Sequence, residues 1–157
     1  MNYWTSMEWG TDMVKYSDIH RAIVGKLKAK FPNIKISSTD ITEGFDRPSF
    51  FIEFDDMKST DFMREALDRD FTVRIYYFPK EKDKNKVEIL NMEDDLNEIF
   101  IQDGVISIDA ETAIEIDELE LEIVDKVLQC SFDVMISENY DRVDDTPNIE
   151  DIEIDNI

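Results

Sequence analysis

The stretch "FPNIKISSTDITEGFDRPSFFIEF" (residues 31–54) reads as a helix end, a short strand, a polar turn and a second strand. Pro32 ends the preceding helix, because its ring removes a backbone donor and clashes with the turn before it. Ile34 and Ile36 alternate with polar residues, which is the period of a strand. The segment that carries Gly44 and Pro48 turns the chain. In "SFFIEF" (49–54), Phe50, Ile52 and Phe54 fall on one face and Phe51 and Glu53 on the other. Phe51 opposite the apolar face implies that both faces are at least partly covered. Nothing in the stretch is catalytic. It reads as scaffold.

Elements on either side follow the same patterns. Ile19, Ile23, Leu27 and Phe31 recur at steps of four and predict a helix over residues 17–30, with Ser17 or Asp18 as its N-cap. Lys26, Lys28 and Lys30 sit in its last turns, where the helix dipole favours cations. "DDMKSTDFMREALDRD" (55–70) is charged with weak periodicity, and fits a long loop or the outer ends of a hairpin. "FTVRIYYF" (71–78) alternates as a strand. After the lysine-rich turn "PKEKDKN" (79–85), Ile89, Met92, Leu96 and Ile99 predict a second helix over residues 86–100. Asn85 and Glu88 have the spacing of a capping box. Gly104 suits a left-handed turn just past its end.

"VISI" (105–108) is a short strand. Residues 110–124 are rich in Glu, but Ile114 and Ile116, then Leu119, Leu121 and Ile123, have period 2 with a slip at residues 117–118. This predicts one strand with a bulge rather than a helix. "LQCSFDVMI" (128–136) is the clearest strand, with Leu128, Cys130, Phe132, Val134 and Ile136 inward. The expected core is Phe50, Ile52, Phe54, Phe71, Val73, Ile75, Phe132 and Val134. The fold class is therefore α/β in the α+β sense, a mixed or antiparallel sheet packed against two helices. A domain over residues 17–140 follows an aromatic extension (1–16, with Trp4 and Trp9) and precedes an acidic arm (141–157).

Composition narrows the function. The 157 residues suit one domain with a real core. With 38 acidic against 17 basic residues the net charge is −21, and such a surface repels nucleic acid and anionic membranes. No apolar run reaches the length of a membrane span, and the N-terminus lacks the pattern of a signal peptide, which implies synthesis in the cytoplasm. A single cysteine, Cys130, excludes an intrachain disulfide and a cysteine-based zinc site. His20, one residue off the apolar stripe, reads as structural, and Cys130 as a small hydrophobe. Carboxylate pairs such as residues 55–56 and 94–95 are expected by chance in so acidic a chain. No phosphate cradle, nucleophile elbow or calcium loop is present. Catalytic residues, cofactor and metal are all expected to be absent, and the chain is not read as an enzyme.

Four stretches occur in a telling order: "LKAKFP" (27–32), "ITEGFDRPSFFIEF" (41–54), "DFTVRIYYFP" (70–79) and "IVDKVLQCSFDVMI" (123–136). Together they resemble the phage tail terminator family, which includes tail-completion proteins of Gram-positive prophages. The likeness spans residues 17–137. Departures are Glu43 where Gln is usual, Lys126 where Gly is usual, and Gln129-Cys130 in place of a His-aromatic pair. The resemblance implies a hexameric ring on the head-proximal end of the tail tube. Such a ring stops tube growth and, in contractile tails, meets the last sheath layer and the neck. Headless contractile bacteriocins carry a similar cap. Partners would be further copies, the tube protein and the sheath or neck, with DNA sliding past an acidic wall and no membrane involved. The location would be the virion or a tail-like particle, assembled in the bacterial cytoplasm.

Interface candidates are Asp55, Asp56, Lys58, Asp61, Arg64 and Asp68 in the charged segment, and Ile152 and Ile154 in the C-terminal arm. The arm either adds to a neighbouring subunit or folds back on its own sheet. Two other readings stand beside the terminator: a head-tail connector of the same particle, and an acidic DNA mimic that blocks a nucleic-acid-binding protein.

Overall fold

"ALDRDFTVRIYYF" forms one uninterrupted strand, β3 (Ala66–Phe78), which starts five residues earlier than its alternation suggests. The computed structural model describes residues 13–37 and 46–140. Before β3 come α1 (Tyr16–Lys30), β1 (Lys35–Ser37) and β2 (Ser49–Phe62). After it come α2 (Lys86–Asn97), a π turn (Glu98–Gln102), β4 (Val105–Ser107), β5 (Ala113–Glu115), β6 (Glu120–Val124) and β7 (Val127–Asn139). The main sheet has the order β1-β2-β3-β7-β6, with β1 parallel to β2 and every other pair antiparallel. β4 and β5 pair as a separate hairpin. The fold is thus α+β with a mixed sheet, as the patterning implied.

Register explains the core. Phe54, Val73 and Phe132 lie side by side across three strands; so do Ile52, Ile75 and Cys130, and then Phe50, Tyr77 and Leu128. These rows form one face, and both helices pack on it. From α1, Ile19, Ile23 and Leu27 are fully buried, and the Phe31 ring lies 5.4 Å from Phe50. From the π turn, Phe100 lies 5.3 Å from Phe132. Of the expected core, Phe54 alone is half-buried and the rest are buried. Ile106, Ile114 and Ile116 of the small hairpin complete the layer.

Several local expectations are corrected. Helix α1 starts at Tyr16, so Lys15 holds the cap position and Asp18 lies inside the first turn, where its carboxylate accepts from the Lys15 N–H (3.2 Å). Asn85 precedes α2, but its side chain does not cap it. Its amide donates to the Glu81 carbonyl (3.0 Å), while the Glu88 carboxylate takes the Tyr77 hydroxyl (2.8 Å) and the Lys80 N–H (2.6 Å). The α-helix ends at Asn97, and the wider π turn lets adjacent Ile99 and Phe100 both face the core. Residues 110–124 form two strands in two sheets rather than one bulged strand. The slip at residues 117–118 is the crossing between the sheets. Residues 55–70 are the outer ends of a hairpin.

Gly104 has a left-handed φ of 68°, and a Cβ there would meet the Ile101 carbonyl at 3.2 Å. The turn from β6 to β7 is tighter still, with Asp125 and Lys126 at φ 51° and 63°. Both positions of such a mirror-image turn favour Asn, Asp or Gly. The departure Lys126 therefore sits where glycine is at ease. Its ammonium pairs with Asp83 (2.7 Å), and that ion pair holds the Asp83 carboxyl below the usual carboxylate range. Trp4, Trp9 and the 141–157 arm lie outside the described residues.

Two stability predictions follow from this packing. Phe132→Ala should cost about 3–5 kcal/mol in urea unfolding. A loss under about 1 kcal/mol would show that the strand's inner face is not part of the core. Lys126→Gly should raise stability by about 0.5–1 kcal/mol, because relief of the left-handed backbone outweighs an exposed ion pair.

Candidate functional site

The sheet is uneven in length, and this creates a projecting feature. β1 pairs only with residues 49–51 of β2, and β6 only with residues 127–131 of β7. Beyond those points β2, β3 and β7 continue as a three-stranded arm. Among the described residues no strand flanks either side of it.

Partway along its length, the arm is tied to the domain by Arg69, which is buried and pairs with Ser59 and Ile136. Its guanidinium donates to the Val14 carbonyl (2.7 Å) and to the Glu138 carboxylate, and lies 5.0 Å from the centre of the Tyr16 ring. The second Glu138 oxygen accepts the Val14 N–H (2.9 Å). A buried charge needs such partners, since an unpaired one costs several kcal/mol. The segment before α1 is thereby clamped to β3 and β7, and Tyr16 packs edge-on against Phe71 at 5.4 Å.

Nearer the domain than Arg69, β2 carries a bulge between Asp55 and Lys58, where Asp56 takes a left-handed φ of 53°. The bulge sits beside Arg74, whose guanidinium donates to Asp55 (2.7 Å) and lies 4.0 Å from Asp56. The hydrogen bond to Asp55 raises the Arg74 pKa further, so this cation stays charged. At the tip, Met63 and Arg64 have φ of 53° and 63°, and Glu65 N–H closes the turn on the Phe62 carbonyl (3.1 Å). Neither residue is suited to this geometry, which costs roughly 1–2 kcal/mol per residue. The same tip exposes Met63 to 78% and Phe62 to 56%.

Each candidate from residues 55–70 therefore has a definite place. Asp55 and Asp56 gather at Arg74. Lys58 lies opposite Asp70 on the open face of the sheet. Asp61 accepts from the Tyr140 hydroxyl, and Asp68 from the Ser137 hydroxyl (2.6 Å). Arg64 is in the strained tip. Ile152 and Ile154 lie outside the described residues. The acidic groups thus brace the arm as well as charge it, and β3's share of the segment is partly buried, Ala66 and Arg69 fully so.

Sequence reasoning passed over Met57, Phe62 and Met63, the exposed apolar groups of the arm. The signal was there: "FM" stands in the middle of a charged run, midway between two alternating segments. His20 is half-buried, with its ring 6.1 Å from that of Phe54. Cys130 is buried, and burial pushes its thiol pKa up, away from the nucleophilic thiolate. The feature suited to a task is an arm with an apolar, strained tip and edges that no strand flanks among the described residues. Its chemistry is that of association.

A family model described as phage tail terminator protein matches residues 18–147. The chain belongs to the phage tail terminator family. This is a structural family rather than an enzyme family, and it assigns the tail terminator to the virion tail among other tail components. A search of curated proteins found no match. Among the described residues of this terminator, no helix is long and apolar enough to cross a membrane.

The Arg69 clamp gives a direct test. Arg69→Ala leaves Glu138 without its cation and should cost about 3–5 kcal/mol in urea unfolding, with much of the loss recovered when Arg69 and Glu138 are both replaced by Met. An Arg69→Ala protein as stable as the parent would show that the clamp does not hold the arm.

Proposed function

We propose that this terminator forms a hexameric ring that caps the head-proximal end of the tail tube, stops its growth and links the tube to sheath or neck. The observation that carries this reading is the arm. A chain with no use for an interface gains nothing from a projecting hairpin with Phe62 and Met63 exposed on a strained turn. Strain of this kind concentrates where a protein engages something.

In this reading Asp55, Asp56, Lys58, Asp61, Arg64 and Asp68 belong to the contact with the tube or the next subunit. Strand edges that no other strand flanks among the described residues suit a head-to-tail arrangement, which must close on itself or grow without limit. A net charge of −21 suits a wall past which DNA slides without binding. Ile152 and Ile154 serve as contacts of a C-terminal arm on a neighbouring subunit or on the sheath. Assembly takes place in the bacterial cytoplasm.

Particles that lack the protein should carry over-long tubes in negative-stain images. Headless tails of normal length would instead make the protein a connector. A finer test is to replace residues 60–68 by Asn-Gly, which closes the hairpin at the Ser59 and Arg69 pair with a favoured two-residue loop. The shortened protein should keep its native circular dichroism and fail to limit tube length. Normal tube length with the short arm would overturn the assignment of these residues.

A further inference from the structure

The β7 edge of the arm differs from the β2 edge in what lies beside it. Past Ser131, β7 runs along a cleft of about 1190 Å³ whose far wall includes Glu115, Asp117, Glu118 and Glu120. Along the edge itself Asp133, Met135 and Ser137 point to the open face of the sheet, and Val134 and Ile136 to the helix side. Met135 is 73% exposed. Eight carboxylates and two cations line the cleft; Arg69 already holds one of the carboxylates, Glu138, and Asp55 holds one of the cations, Arg74.

An unpaired strand edge recognises an extended backbone, whatever its sequence. The side chains around it decide which backbone. Here they select against acidic segments, because like charges across an added strand repel. The chain's own residues 141–157 carry seven acidic groups and one Arg, the same sign as the cleft. Residues 55–62 of a second copy bring three Asp against one Lys.

We propose that the β7 edge, residues 132–139, takes up an extended basic segment of another tail protein as an added strand, with the cleft carboxylates selecting its charge. Apolar side chains of the added strand continue the row beyond Val134 and Ile136. Its Lys or Arg side chains fall on the other face, toward Asp133 and the Glu118 and Glu120 wall. The proposal rests on the chain being a tail component, but not on ring closure.

The probe is a synthetic heptapeptide that alternates lysine with valine, added to the full chain and followed by fluorescence anisotropy and hydrogen exchange. Binding should protect the amides of residues 132–139. A peptide alternating glutamate with valine should not bind. A lysine peptide with proline in place of the valines keeps the charge but cannot pair as a strand, and should not protect this edge. The double variant Glu118→Lys, Glu120→Lys should weaken the lysine peptide by about tenfold at low salt.

Equal binding of the proline peptide, or protection confined to residues 52–62, would overturn the proposal. So would protection of residues 132–139 in the free chain that disappears when the chain is ended after Tyr140, since its own C-terminus would then fill the edge. None of these results bears on tube length, so a failure here is distinct from a failure of the capping function.

Discussion

Strand β3 is paired on both sides along almost its whole length, with β2 from Ala66 to Phe78 and with β7 from Ala66 to Tyr77. The rest of the structure depends on this double ladder. It makes the inner faces of three strands into one continuous apolar surface, from Phe50 and Tyr77 at one end to Phe71 and Val134 at the other. Two helices can then be laid across it. It also lets the sheet run on where its flanking strands stop. A two-stranded ribbon of that length would be marginal in water, whereas three strands anchored by a helix-covered half can hold a projecting shape.

The same ladder reconciles a very acidic composition with a folded chain. On the open face, acidic side chains are placed beside donors rather than beside one another: Asp133 accepts from Thr72 (2.7 Å), Asp68 from Ser137, Asp55 from Arg74 and Glu53 from Tyr76 (3.2 Å). Such exposed contacts add little individually. Their effect is to fix which carboxylates remain free for a partner. Among them are Glu115, Asp117, Glu118 and Glu120 of the cleft beside β7. Lys80, Lys82, Lys84 and Lys86 gather at the opposite end of the sheet, and none of them makes an ion pair within the described residues. The molecule is therefore electrically lopsided, which orients it relative to its neighbours on approach.

Much of this was legible in the residues. Period 2 in residues 128–136 and steps of four in Ile19, Ile23 and Leu27 placed the core correctly, because a buried face tolerates few exceptions. Local cap signals failed where a tertiary partner outbid them: Glu88 has the spacing of a capping box with Asn85 but is claimed by Tyr77 and Lys80. Residues 113–124 kept strand period across a phase slip, and periodicity cannot tell a bulge from a step between two sheets. The arm was the least legible part. Its alternation is masked by a bulge that shifts β2 by one residue and by charged groups on both faces. Only the pairing with β3 shows that Phe62 and Met63 are the tip of an arm rather than part of a solvated loop.

Cryo-electron microscopy of the head-proximal tail end in assembled particles tests the central claim most directly. It should show a ring of this chain on the last tube layer, with the Phe62 and Met63 tip buried against the tube or the adjacent subunit. A chain located elsewhere in the particle, or one whose arm points into solvent, would contradict the account.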